Sequence, residues 1–141
     1  MGALTVTAKD VRPLPGALCR RFTAGATVNA GNVVRLDTSG DVCKADAVTL
    51  ANSRAIGVAV ADNDGSTIFA DGDPVDVCMF GPLAGVTSVY EGSFVYVSTT
   101  IGGMSDALAG SGNYLWVLGQ SLSTSIIFIN PFTYDIAQQT G

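Results

Sequence analysis

The sequence predicts an all-β fold, a small β-sandwich or β-barrel built from two similar strand-turn-strand units with an extended N-terminal arm. Three observations carry that reading. From Thr23 onward, short apolar segments alternate with Gly, Asp, Asn and Ser clusters, and turn signals recur about every eight to twelve residues, as in sandwiches and barrels. A pattern of apolar and glycine positions returns about sixty residues later. Only one stretch, residues 46–53 (DAVTLANS), has the composition for a helix.

Residues 1–22 read as the arm. Pro13 and Pro15 in the run RPLPG fix φ and bias their neighbours towards extended backbone. ALCRRF then mixes apolar and basic side chains. The β-domain is expected over residues 23–130, followed by a tail at 131–141. Its strands are expected at 26–29, 32–37, 41–45, 55–61, 66–70, 75–80, 86–90, 93–98, 114–122 and 125–129. Ser39-Gly40-Asp41, Asp64-Gly65, Asp71-Gly72-Asp73-Pro74 and Ile101-Gly102-Gly103 supply turn residues that tolerate positive φ. The stretch 46–53 fits about two helical turns, with Asp46 as its expected cap.

The internal repeat is specific in order. Val28, Gly31, Val33, Val34 and Leu36 return as Val89, Gly92, Phe94, Val95 and Val97, sixty-one residues later. After a one-residue slip, Gly40 and Val42 match Gly102 and Met104, while Ile56-Gly57 and Val60 match Leu118-Gly119 and Leu122. Two such units bury together what one hairpin cannot bury alone. The mid-strand glycines Gly57 and Gly119 mark a bulge or the close approach of another backbone.

Composition narrows the function. The chain has 141 residues, is 48% hydrophobic and 13% charged, carries a net charge of −5 and contains no histidine. That apolar content excludes intrinsic disorder. No run approaches the roughly 20 apolar residues of a membrane-spanning helix. The first residues, MGALTVTAKD, carry no secretory signal pattern. All seven bases lie in residues 1–54 with four acids, a local charge of +3; residues 55–141 hold eight acids and no base, −8. Such a split suits oriented docking or self-association better than nucleic-acid binding, which calls for a basic stripe.

Catalytic signatures are sparse. Without histidine, the commonest general base and metal ligand is missing; no nucleophile motif or phosphate loop is present, and no enzymatic activity or cofactor is expected. Cys19, Cys43 and Cys78 form no C-x-x-C pair, which points to folding in a reducing compartment with Cys43 and Cys78 as small buried hydrophobes. Only Cys19 has activating neighbours, Arg20 and Arg21. Asp62-Asn63-Asp64-Gly65 resembles the opening of a calcium loop but lacks its later glutamate. With Asp71, Asp73 and Asp76 nearby, it leaves room for a weak cation site or a plain solvated turn.

The aromatic residues say more. Phe94 and Tyr96 share one face of their strand, and Val95 and Val97 the other. A strand apolar on both faces is buried inside the monomer or covered by a neighbouring subunit. Ile126-Ile127-Phe128-Ile129 has the same character. Exposed Tyr90, Tyr96, Tyr114 or Trp116 would instead suit stacking on sugar rings, which keeps open a glycan-binding surface module.

The stretch AGATVNAGNVVRLDTSGDV (24–42), followed by KADA (44–47) and AIGVA (55–59), resembles the small capsid cement or head-decoration proteins of tailed bacteriophages. The likeness continues through EGSFVYVS (91–98) and LGQSL (118–122) and covers residues 23–130; the tail and the three cysteines have no counterpart in it. The resemblance implies a non-enzymatic virion protein, folded in the host cytoplasm, that binds the major capsid protein on the outer shell surface, commonly as a trimer. It assigns no nucleic-acid or membrane partner. Arm and face then become partner-binding candidates: Arg12, Pro13, Pro15, Arg20, Arg21 and Phe22, with Phe94 and Tyr96. A preorganised arm loses little entropy on docking and adds a strand to a neighbour's sheet edge. Deleting residues 1–22 is accordingly expected to remove shell binding and leave the β-domain folded.

Overall fold

The computed structural model describes residues 3–88, 90–108 and 110–132. The first strands are β1 (Thr5–Val6), β2 (Arg12–Pro13), β3 (Leu18–Thr23), β4 (Val28–Asn29), β5 (Val33–Leu36) and β6 (Val42–Lys44). A short helix α1 (Leu50–Ser53) precedes β7 (Ala55–Ala59), β8 (Ile68–Phe69), β9 (Pro74–Ala84) and β10 (Val86–Thr87). The chain continues through β11 (Phe94–Val97), β12 (Met104–Ser105), β13 (Val117–Ser121) and β14 (Ile126–Phe132). The fold is nearly all β, and its main antiparallel sheet curls into a half-barrel.

The strand order of that sheet is β12-β11-β13-β14-β9-β7-β5-β6, with β2 and β3 also paired to β9. Read from either end, it presents a hairpin, then a strand with a central glycine, then a long strand at the middle. The two units match in register. Val34 lies opposite Gly57 and Arg35 opposite Ala55, with Ile56 bulged on β7; Val95 lies opposite Gly119 and Tyr96 opposite Val117, with Leu118 bulged on β13. The turn glycines match too: Gly31 with Gly92, and Gly40 with Gly102, all have positive φ.

The core follows from alternation along the strands. Val33, Val34, Val58 and Val77 from the first unit are buried with Val95, Val97, Leu118, Ile127 and Ile129 from the second, and Leu83 of β9 lies among them. The units also clasp each other beyond the sheet. Val33 N–H donates to the Gly102 carbonyl (3.0 Å), Gly102 N–H to Ala45 (2.7 Å) and Ala47 N–H to Ser98 (2.9 Å). Trp116 Nε1–H reaches the Ala55 carbonyl at 3.1 Å.

Several expectations need correction. Residues 3–22 are extended apart from a 3-10 turn at Ala8–Asp10 and lie stitched to the body: β1 pairs with β10, β2 and β3 pair with β9, and Val11 is fully buried. Strands β3 and β14 run across the boundaries expected at 22/23 and 130/131. The helix is shorter than 46–53, and Thr49 is its cap, its side chain accepting from Asn52 N–H at 3.2 Å. Asp46 is committed elsewhere, taking Val48 N–H (2.9 Å) and the Asn52 side-chain amide (3.2 Å) in a local turn. The strand expected at 75–80 extends to Ala84, that at 114–122 begins at Val117, and that at 86–90 closes at Thr87. Val89 of the repeat and residues 133–141 of the expected tail lie outside the described residues.

Candidate functional site

The pleat of β11 sends Val95 and Val97 into the core and leaves Phe94 and Tyr96 on the outer face. Phe94 is 55% exposed, Tyr96 is half-buried, and their ring centroids are 6.5 Å apart. On β14, Ile127 and Ile129 are likewise buried, and Phe128 and Asn130 face outward. Together with Val117 and Gln120 of β13, these side chains line a groove of about 330 Å³. Gly119 contributes no side chain to the groove, and among the described residues no Asp, Glu, Lys or Arg lines it.

The apolar surface continues beyond the groove. Phe80 of β9 meets Phe128 edge to face, with centroids 5.0 Å apart. Leu18 of β3 lies opposite Phe80 and is 65% exposed. Five strands thus present an aromatic and aliphatic face with polar side chains, Gln120 and Asn130, at the groove. Gln120 is held in place, its side-chain amide donating to the Gly92 carbonyl at 2.8 Å. A contiguous exposed apolar face on a rigid sheet has the character of an interaction site.

The structure brings Phe94 and Tyr96 together and places the other sequence candidates apart from them on the N-terminal strands. Pro13 and Pro15 are exposed, and Arg12 donates to the Lys9 carbonyl at 3.4 Å. Arg20 stacks over Phe22, 5.1 Å from its ring centroid. Arg21 forks onto Asp76, its cross-strand partner, at 2.9 and 3.2 Å, with Asp62 at 3.9 Å. Its guanidinium is therefore already engaged within the chain, and Asp76 holds its pKa above the ordinary value. The sequence reading missed Phe80, Val117, Gln120, Phe128 and Asn130. The alternation of Phe128 and Asn130 against Ile127 and Ile129 was the available signal for two of them.

The remaining candidates take ordinary structural places. Trp116 is half-buried and spends its N–H on Ala55; Tyr114 is half-buried, and Tyr90 is exposed. Asp62 accepts from Asn63 N–H, and Asp64 and Asp73 accept from the backbone of Ser66 and Ala70. The hydrogen bond from Ser66 lowers the Asp64 pKa. Among the described residues, no three His, Cys, Asp or Glu side chains gather where a metal ion would be held. Cys78 is buried as expected, whereas Cys43 is only half-buried. Arg20 and Arg21, the neighbours that could activate Cys19, are engaged with Phe22 and Asp76. Partial burial raises the Cys19 thiol pKa most, the neighbouring Cys78 side chain offsets part of that rise, and Asp76 adds a smaller one.

No protein-family model matches the chain, and no curated protein matches it.

Proposed function

We propose that this chain is a structural virion protein, a capsid cement protein that binds the major capsid protein on the outer surface of a phage head and stabilises the shell. The observation that carries the reading is the uncharged aromatic face of Phe94, Tyr96, Phe128 and Phe80, left uncovered on a rigid, doubly clasped sheet. Large preorganised aromatic side chains contribute strongly to binding where a partner excludes water from them. The likeness of residues 23–130 to cement proteins supplies the partner, the trimeric assembly and the virion location.

Expanded shells lacking the protein, titrated with it, should rupture at a higher temperature than bare shells. Phe94→Ser and Phe128→Ser, which alter outward side chains, should bind at least about tenfold more weakly and remain folded. Fully occupied shells that rupture at the same temperature as bare ones overturn the reading. A glycan-binding surface module is the second reading, favoured by the two amides, Gln120 and Asn130, beside the Phe94 and Tyr96 rings. Hits on a glycan array that disappear with Phe94→Ser, without any shell binding, would establish it instead.

A further inference from the structure

We propose that Cys19 and Cys78 are an oxidative modification site whose disulfide staples the N-terminal strand β3 to the long strand β9. The two residues are direct cross-strand partners in an antiparallel pair, a placement that sets the two side chains next to each other. Directly opposed antiparallel positions have Cα atoms about 4.5–5.5 Å apart, inside the roughly 4.4–6.8 Å window that a disulfide spans. Cys43, the third thiol, lies opposite Arg35 on β5, so it has no cysteine across the strand.

Exposure orders the chemistry. Cys19 is exposed, whereas Cys78 is fully buried, with its S–H directed to the Phe80 carbonyl at 3.8 Å. An oxidant from solvent therefore meets Cys19 first. With a low-molecular-weight disulfide as oxidant, the Cys19 thiolate attacks one of its sulfurs. The small S–S bond breaks, one half stays bonded to Cys19, and the other leaves as a thiolate that takes up the Cys19 proton. Cys78 then loses its proton and attacks Cys19 Sγ, expelling the second half, which takes that proton. Two cysteine thiols are oxidised by two electrons, and one small disulfide is reduced to two thiols.

The staple closes a loop from Cys19 to Cys78 that contains β4 to β8, so it restricts the unfolded chain over a long span. It also fixes the N-terminal segment to the body. Desolvation, partial at Cys19 and deeper at Cys78, raises both thiols, so closure is slow near neutral pH and quickens in mildly alkaline solution.

The test uses the full chain under native conditions at about pH 9, with excess oxidised glutathione as the probe. The expected product is lighter by about 2 Da, carries no glutathione, and yields on digestion a peptide joining Cys19 to Cys78. Its melting temperature should rise by roughly 5–15 °C and return on adding reductant. Cys43→Ser should behave in the same way. Cys19→Ser, a change at an exposed position, should fold and give no internal crosslink. A stable glutathione adduct on Cys19, a crosslink through Cys43, or a crosslinked product with an unchanged melting temperature would each overturn the proposal.

Discussion

At the scale of single residues, two glycines carry the closest constraints in the sheet. A Cβ on Gly57 would run into the Cys78 carbonyl oxygen, and one on Gly119 into the Phe128 carbonyl oxygen. In each unit the neighbouring backbone approaches where the side chain is missing. Gly57→Ala and Gly119→Ala should each cost on the order of 3 kcal/mol in urea unfolding, because the obstruction is backbone and cannot swing aside. Gly40→Ala meets open space and only a positive φ, so it should cost about 1 kcal/mol. Equal losses at Gly40 and Gly119 would count against the close approach. Both glycines were legible in the sequence as a bulge or a close contact; the structure joins the two readings, with the contact at the glycine and the bulge on the same strand at the residue before it, Ile56 or Leu118. Cys78 adds a pH effect. Burial above all pushes its thiol up to about 12, against an ordinary value of 9.0. Between those values the folded chain holds a proton that the unfolded chain has released, so stability falls as pH rises from 9 to 12. Cys78→Ala should lower stability at neutral pH and flatten that alkaline slope; a slope left unchanged would mean the thiol is not its source.

At the scale of elements, the N-terminal segment shows where sequence patterning stops. Pro13 and Pro15 announce extended backbone but do not say what it rests on. The burial of LCRRFT is exposed at every position except Phe22, so β3 lacks the alternation that marks a half-buried strand. Its pairing comes from the free edge of β9, a feature of tertiary structure that no local signal encodes. The helix expected at 46–53 shortens for a related reason: Asp46 is drawn into a turn, and Thr49 caps what remains. The segment is consequently part of the fold. Thr7 N–H donates to the Gly85 carbonyl and Leu14 N–H to Pro82, both at 3.0 Å, while Val11 is completely enclosed. Val11→Ala should therefore cost about 2 kcal/mol by chemical denaturation. Removing residues 1–22 should broaden or abolish the cooperative transition, because it bares the edge of β9 and opens the core over Val11. A truncated chain that melts as sharply as the whole would restore the arm as a separable unit.

At the scale of the molecule, the sequence repeat and the sheet order tell the same story. Matched valines and glycines at offsets of sixty-one and sixty-two predicted two like units, and their strand pairings coincide. How the units close on each other was not legible, because the contacts include backbone groups of the 98–103 turn and Tyr114 against Val33 and residues 45–47, and one indole N–H. The charge split is partly folded back as well: Arg21 from the basic end meets Asp76 and Asp62 from the acidic one. The single tryptophan makes this closure measurable. Trp116 bridges the units, donating to Ala55, which is 2% exposed. Trp116→Phe leaves that buried carbonyl without its indole donor and should cost about 1–2 kcal/mol. Because the clasp makes the halves mutually dependent, wild-type tryptophan fluorescence and far-UV circular dichroism should report one urea midpoint. If the units open separately, fluorescence will change first, at a lower urea concentration than the loss of sheet signal. Two such midpoints would show the repeat to be two foldable halves held loosely, whereas one midpoint makes it a single half-barrel that neither unit forms alone.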